Sequence, residues 1–395
     1  MGGSLVSDDA ALADAGRVQA QLARLVGFDT QNPPGQQTEA ARFVAAELEA
    51  MGCRTELVAY APGRAANAIG VFDNGPGPVF AFNTHLDVVP AGEGWETDPL
   101  TLTPRDGRLY GRGACDAKGS LSAMLEAMRM LVAARATWSG TLIGAFTGDE
   151  EVGSDGARAF AASGRRIDLC VIGEPTDCTT FTAHKGSLRP VVRVSGVSAH
   201  SGMPDLGVNA IIRAAPLLAA VAAMHAQVRE IAHPLVGRAA LSIVHAAGGT
   251  AFNVVPDRFD LVLDRRMVPG EDEAAVLEDL RALVARAAAE AGTPMEIVAF
   301  KPTTGGPTET PADHPIVAAA QAACLRHNGR ASPLGGFQGG CDLVHLRRMG
   351  AAGVVLGPGS LDLAHKPNEF VPVDELLRAC TIYRDIAATM LAPLP

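Results

Sequence analysis

The sequence predicts an open α/β sheet, mostly parallel, interrupted by a smaller inserted α+β domain. Three observations predict it. Short apolar strands alternate with amphipathic helices in the first and last parts of the chain. Three of those strands, and one glycine-rich loop, end in His, Asp or Glu, and in open α/β sheets ligands gather beyond the carboxyl ends of the strands. Between them the order becomes β-α-β-β-α-β over about 110 residues, the ferredoxin-like plan, which is long enough to fold as a domain. The expected division is 1–185 and 301–395 for the larger domain and 186–300 for the insert.

The elements follow in order. Leu12, Val18, Leu22, Leu25 and Val26 fall at helical spacing over 11–26, and Gly27 closes the pattern. FDTQNPPGQQ is a loop. Thr38 opens a helix whose Phe43, Val44, Leu48 and Met51 form one face, with Gly52 at its end. Strands are expected at 55–60, 67–72 and 78–83, then a hairpin over 102–110 that turns at Asp106-Gly107. GRGACDAKG (111–119) precedes a helix with Leu121, Leu125, Met128, Leu131 and Val132 on one side. Strands at 141–146 and 169–172 lead into TGDEEVG and GEPT.

The insert is read as strands 187–195, 240–245, 253–264 and 295–300 with helices 209–229 and 272–291. After it come a helix at 316–324, a glycine-rich loop at 335–340, a strand at 352–356 and a last helix at 373–390.

Composition narrows the function. Of 395 residues, 48% are hydrophobic and 19% charged, which suits a well-packed globular protein. Aromatics at 5% offer no stacking platform for bases, and a net charge of −10 opposes a polyanion, so no nucleic-acid partner is expected. The first sixteen residues carry acids where a signal peptide needs a basic flank. With no apolar run of about 18 residues expected anywhere, no membrane partner and a cytoplasmic location are inferred. The seven cysteines are odd in number, scattered and without a Cys-x-x-Cys pair, as in reduced thiols.

The chemistry concentrates at the strand ends. NTHLDVVP (83–90) delivers His85, and Asp87, two residues on, can hold the other ring nitrogen of a ligating imidazole. Asp116 stands before a helix, where a capping role competes with metal ligation. Three consecutive acids, Asp149, Glu150 and Glu151, repel one another at a strand end, and a cation is the simplest reason for them. Two metals about 3.5–4 Å apart need a shared carboxylate plus terminal ligands. His85, Asp116, Glu151, Glu174 and His365 supply such a set, with Glu150 free beside Glu151. Zinc fits two histidines and three carboxylates, and manganese or cobalt also fit. Three carboxylates with two divalent ions leave about +1, which draws in an anionic substrate.

HLDVVP, GRGACDAKG, TGDEEVGS, GEPT, SAHSG, GGTAFNVVP and AHKPNE together resemble the M20 family of metallo-aminoacylases and peptidases, most closely its acetylornithine deacetylase and succinyl-diaminopimelate desuccinylase branch. The resemblance spans about Leu22 to Asp374, and the motifs occur in the family's order. It implies a zinc-peptidase-like catalytic domain with an inserted lid and dimerisation domain. It further implies two zinc ions per subunit bridged by Asp116, one completed by His85 and Glu174, the other by Glu151 and His365. Glu150 becomes the general base that passes a proton to the leaving amine, and Asp87 orients His85. His200 matches a histidine that reaches into the neighbouring subunit's site to steady the oxyanion, which implies a homodimer. Asn253 and Arg266 match substrate-binding residues, and Gly340 and Gly357 to Gly359 would line the cleft. Ala117 departs from the methionine frequent after the bridging aspartate. Glu174 is the residue of the deacylase-like relatives.

Taken alone, His200 lies in a polar, turn-like stretch and reads as a surface-loop histidine, while Arg266 and Asn253 read as a strand-end charge and a turn residue. His184 reads as a hinge hydrogen bond and Cys115 as a lone thiol. The function expected is hydrolysis of an N-acyl amino acid by metal-activated water. The alternatives are a dipeptidase or carboxypeptidase on the same core, a non-catalytic metal-binding dimer, and a phosphohydrolase, the last without a phosphate-cradling loop.

Overall fold

The computed structural model describes residues 13–392. The expected helix start at Ala11 and Leu12 lies outside them. The chain divides into two compact units: one holds the residues up to Ala183, 310–336 and 341 onward, and the other holds His184–Glu309 with Phe337–Gly340.

The first unit begins with α1 (Ala15–Gly27) and α2 (Thr38–Ala50). Asp14 caps α1 by accepting the Arg17 N–H, and Gly52, at φ +88°, takes the chain out of α2 in a left-handed conformation that suits glycine. Then come β1 (Arg54–Ala61), β2 (Ala65–Asp73), β3 (Val79–His85) and a hairpin of β4 (Thr103–Arg105) and β5 (Arg108–Tyr110). Asp106 and Gly107 turn the hairpin with φ of 50° and 73°, both left-handed as a type I′ turn requires. They are followed by α3 (Lys118–Ala133), β6 (Thr141–Thr147), α4 (Asp155–Ala161), β7 (Leu169–Ile172) and β8 (Phe181–His184).

The second unit contributes β9 (Gly186–Ser195), α5 (Ala210–Arg213), α6 (Ala215–Val228), β10 (Ala232–His233), β11 (Gly237–Arg238), β12 (Ala240–Gly248), β13 (Arg258–Met267), α7 (Glu273–Ala291), β14 (Met295–Lys301) and β15 (Thr308–Glu309). The chain returns to the first unit with α8 (Pro315–Asn328), β16 (Gly335–Phe337), α9 (Leu343–Arg348), β17 (Ala352–Val355), β18 (Phe370–Pro372) and α10 (Val373–Met390).

The main sheet runs β1-β2-β6-β3-β7-β17-β8. Its centre, β6-β3-β7-β17, is parallel, and β1, β2 and β8 pair antiparallel at the flanks. The central strands are apolar runs almost entirely buried, as strands covered on both faces must be. On one face α3 packs against α1 and α10, and α10 against α8. Phe80 and Phe82, two residues apart and so on one side of β3, meet edge-on at 5.2 Å, and Phe82 meets Tyr383 of α10 at 5.7 Å.

The second unit is a four-stranded antiparallel sheet, β12-β13-β9-β14, with α6 packed on β12 and α7 on β14. Two expectations are corrected here. β13 starts at Arg258, not Asn253, because the chain through Pro256 is still turning. The helix expected over 209–229 is two helices that meet at Ala214, with Pro216 in the first turn of the second. That same stretch, Ala210–Val228, passes for a membrane span by length and composition alone, with mean hydropathy 1.5 and 17% of it buried, although Arg213 interrupts its apolar run and the chain breaks there into two helices. The elements without a counterpart in the sequence reading, α4, α9, β8, β10, β11, β15, β16 and β18, are too short for periodicity to register.

Candidate metal centre

Strand register sets the site. In the parallel centre His85 lies opposite Thr147, and Asn83 opposite Ile172. The acid loop after β6 and Glu174 after β7 therefore leave the sheet level with His85. Asp116 stands two residues before α3 but does not cap it, since Ala117 is the cap residue and no side chain bonds there. The capping alternative is thus corrected. The Asp116 carboxylate faces two imidazoles instead: Oδ1 lies 3.1 Å from His85 Nε2 and Oδ2 lies 3.3 Å from His365 Nε2. Glu174 Oε2 is 3.9 Å from His85 Nε2, and Glu151 Oε2 is 3.1 Å from His365 Nε2.

Two triads result, His85-Asp116-Glu174 and Asp116-Glu151-His365, each with its ligand atoms within 4.8 Å of one another and with Asp116 common to both. The donor set fits two divalent cations by its chemistry, imidazole and carboxylate around one shared carboxylate. A buried orphan supports the fit, since Glu151 Oε1 has no hydrogen-bond partner.

Electrostatics agree with a site short of positive charge. Burial pushes the Glu174 carboxyl up to about 7 against the pull of His85, and burial likewise raises Glu150 well above and Glu151 above the usual range. His365 is raised to about 10 by its hydrogen bonds to Asp116 and Glu151. For His85, burial works downward but the Asp116 and Glu174 contacts outweigh it and hold the ring well above its ordinary value.

Asp87 acts differently from expectation. His85 Nδ1 is 2.9 Å from the Asp87 main-chain carbonyl and 3.8 Å from its carboxylate. A carbonyl only accepts, so Nδ1 carries the hydrogen and the Nε2 lone pair is left for a cation. The Asp87 carboxylate is occupied elsewhere, accepting the N–H groups of Glu150 at 3.1 Å and Glu151 at 3.3 Å. It fixes the acid loop more directly than the imidazole.

His365 sits on a loop held from below. Its φ is +63° and that of Asn368 is +59°, and Asn368 Oδ1 accepts the Glu96 N–H at 2.8 Å. Glu369 pairs in the interior with Arg112 and accepts from the N–H groups of Cys115 and Asp116, each at 2.9 Å. These roles went unread although both residues lie inside motifs that were recognised. Asp342 was missed altogether. It is buried, accepts the Thr147 hydroxyl at 2.8 Å and adds negative charge against Glu150.

Gly357 is closely packed: a Cβ there would stand 2.3 Å from Ser120 Oγ and 2.5 Å from the Glu174 carbonyl. The Cys115 thiol is buried, pushed well up by that burial, and donates to the Ser360 carbonyl at 3.4 Å, so it is not a reactive thiolate.

In the second unit His200 and Asn253 are brought side by side. Ser201 N–H donates to the Asn253 carbonyl at 2.9 Å, and His200 forms a bridge with Val254. Both are exposed, and His200 Nδ1 accepts the Gly202 N–H at 3.0 Å, which leaves Nε2 outward. Arg266 pairs with Asp264 at 2.9 Å, and Gly340 lies by Thr304 and the Lys185 carbonyl. Buried His184 donates Nδ1–H to the Lys185 carbonyl at 2.9 Å.

Residues 81–389 match peptidase family M20/M25/M40. A succinyl-diaminopimelate desuccinylase of Stenotrophomonas maltophilia is 34% identical over 326 residues, 80% of this chain and 84% of that one. An acetylornithine deacetylase of Vibrio campbellii is 31% identical over 329 residues, 82% of this chain and 84% of that one. Among solved structures, a dinuclear metal-binding peptidase of the M20 family from Bacillus subtilis superposes with a TM-score of 0.73 at 19% identity, covering 95% of this chain and 98% of its own. The motifs, the paired triads and these matches agree: the chain belongs to peptidase family M20/M25/M40, hydrolases of amide bonds.

Proposed function

We propose that this protein is a two-zinc deacylase that hydrolyses the amide of an N-acyl amino acid. The observation that carries the reading is Asp116, whose two oxygens each face one histidine, at 3.1 and 3.3 Å, with a further carboxylate completing each side. Two divalent cations bound there would polarise the amide carbonyl and acidify a water. Zinc is the ion this donor set favours, with cobalt or manganese as substitutes.

Glu150 is the residue for proton transfer. It stands beside Glu151, belongs to neither triad, and is held by its own N–H on Asp87. Its raised carboxyl suits a group that takes a proton from the attacking water and hands it to the departing amine nitrogen. Asp87 holds the main chain that bears that carboxylate. Arg266 and Asn253 would bind the amino-acid carboxylate, as an arginine fork does. Relatives named for removing acetyl and succinyl groups favour acyl amino acids over dipeptides.

A homodimer belongs to this reading, with His200 of the partner subunit steadying the oxyanion. Its support is exposed apolar side chains on the second unit, Leu206, Ile212 and Val244, together with β12, which ends its sheet with an unpaired edge among the described residues. A cytoplasmic location is supported by seven cysteines that are all buried free thiols.

The test is amine release from N-acetylornithine, N-succinyl-diaminopimelate, other N-acyl amino acids and simple dipeptides, by metal-stripped protein with and without zinc. Zinc-restored cleavage of an acyl substrate, lost in Glu150→Ala, establishes the reading. Cleavage of dipeptides alone moves the protein to the peptidase alternative, and no turnover with zinc still bound makes it a non-catalytic metal-binding homologue.

A further inference from the structure

The acid loop is held by a chain of polar contacts that begins outside the stretch matched to the family. Asp149, the residue before Glu150, is buried and left-handed at φ +61°, and its carboxylate belongs to neither triad. Its Oδ1 accepts from Asn32 Nδ2 at 2.7 Å and Gln37 Nε2 at 2.9 Å. Arg64 grips it with two nitrogens, Nη2 at 2.9 Å from Oδ2 and Nη1 at 3.2 Å from Oδ1. The second hydrogen of the Asn32 amide goes to Asp87 Oδ2 at 3.0 Å. Both neighbours of that amide are carboxylates, so the nitrogen, not the oxygen, must face them.

Asn32 is fixed in turn by its main chain. Its N–H donates to the Val88 carbonyl at 2.8 Å, and Val88 N–H donates to Thr30 at 3.1 Å. Asp87 then carries the arrangement to the N–H groups of Glu150 and Glu151. The line Arg64, Asp149, Asn32, Asp87 ends on the general base and a metal ligand.

We propose that Arg64 is a positioning residue for this site, acting through Asp149 and Asn32 on Asp87 and the acid loop. The proposal rests on the functional reading above. Two buried aspartates share one neutral amide, and the Arg64 guanidinium is hydrogen-bonded to one of them, Asp149. Without it the Asp149 side chain keeps two neutral donors, Asn32 and Gln37, and competes for the Asn32 amide, so the Asp87 carboxylate loses its side-chain donor and the loop its register. Lysine cannot replace the fork, because a single ammonium reaches one oxygen where Arg64 holds both. The guanidinium is one-third exposed, so a small cation can enter the space a truncated side chain leaves.

The experiment compares wild type, Arg64→Ala, Arg64→Lys and Asn32→Ala in three measurements: zinc affinity by chelator competition, kcat and KM on the best acyl substrate, and recovery with millimolar guanidinium. Removal of such outer partners typically costs about 10–100-fold in metal affinity or activity. A fall of that size in kcat and zinc affinity is expected for Arg64→Ala with KM nearly unchanged, and guanidinium should recover part of it. It should do nothing for wild type or Asn32→Ala. Zinc affinity and kcat near wild type in Arg64→Ala, or a loss that guanidinium leaves untouched while the melting temperature falls, would make Arg64 a structural residue only. If Arg64→Ala does not fold, Arg64→Lys and Asn32→Ala decide, and wild-type zinc affinity and kcat in both overturn the proposal. If wild type turns over none of the substrates, the deacylase reading fails by itself, and the zinc affinities alone decide the role of Arg64.

Discussion

Glu369 accepts the main-chain N–H of Asp116 at 2.9 Å, so the loop bearing His365 is tied to the backbone of the carboxylate its imidazole faces. The other Glu369 oxygen pairs with Arg112, and both side chains are almost fully buried. Breaking one partner of a buried pair typically costs about 3–5 kcal/mol. Arg112→Met should lower stability to urea by an amount of that order. A shift under about 1 kcal/mol, the scale of an exposed pair, would show that Glu369 does not depend on Arg112.

The proposed function gives the neighbours Glu150 and Glu151 separate duties, and amide substitution should separate them. Glu150→Gln should keep its metal while kcat falls about 10²–10⁴-fold, the usual worth of a general acid–base group. Glu151→Gln should lose one of two ions. Metal content by atomic spectroscopy distinguishes the two, and equal metal loss in both variants would argue against the assignment.

Gly148 leaves room for the Gln37 and Tyr60 side chains beneath the acid loop. A Cβ there would lie 2.3 Å from both Gln37 Oε1 and Tyr60 Oη. Gly148→Ala should therefore cost about 1–3 kcal/mol, typical of overpacking. Zinc affinity should weaken alongside, because the clash falls directly on the residue before Asp149. An unchanged melting temperature would contradict this.

Burial lowers His184 to about 4, with the Lys185 carbonyl pulling the other way. The folded value is below the unfolded one, so the unfolded chain binds more protons in acid. The stability is complete above about pH 6.5 and is lost as pH falls from there to about 4, by an amount on the order of 3 kcal/mol. Unfolding free energies measured across that window should fall less steeply in His184→Gln than in wild type. Parallel curves would remove His184 from the account.

Ile212 is 71% and Val244 55% exposed, both on the unit proposed for dimerisation. Ile212→Lys with Val244→Lys should sediment as a monomer at concentrations where wild type is a dimer. A variant that still dimerises would place the interface elsewhere.

The parallel centre of the sheet and the candidate ligands at its ends were legible because buried strands are continuous apolar runs and the acids that follow are conspicuous at their ends. His85, Glu151 and Glu174 were readable for that reason. Asp342 was not, since it follows no strand and enters the centre only through tertiary packing on Thr147. Neither was the line from Arg64 to Asp87, whose members lie up to 117 residues apart and show no spacing. Asp87 illustrates a finer limit: its position marked it as a partner of His85, yet which of its oxygens serves the imidazole depends on backbone direction, which residue types do not encode. The break at Ala214 and the late start of β13 are local backbone events set by proline.

β17 lies between β7 and β8 in the main sheet, pairing Ala352 with Leu169 and Val355 with Phe181. A strand from near the end of the chain thus fills a gap left by two that are translated early. At ~5–20 residues per second, roughly ten to forty seconds separate the emergence of β7 from that of its neighbour. Through that interval the nascent first unit carries open strand edges, and the entire second unit leaves the ribosome before they close. His365 follows still later, so the triad of Asp116, Glu151 and His365 is complete only after the second unit has been translated.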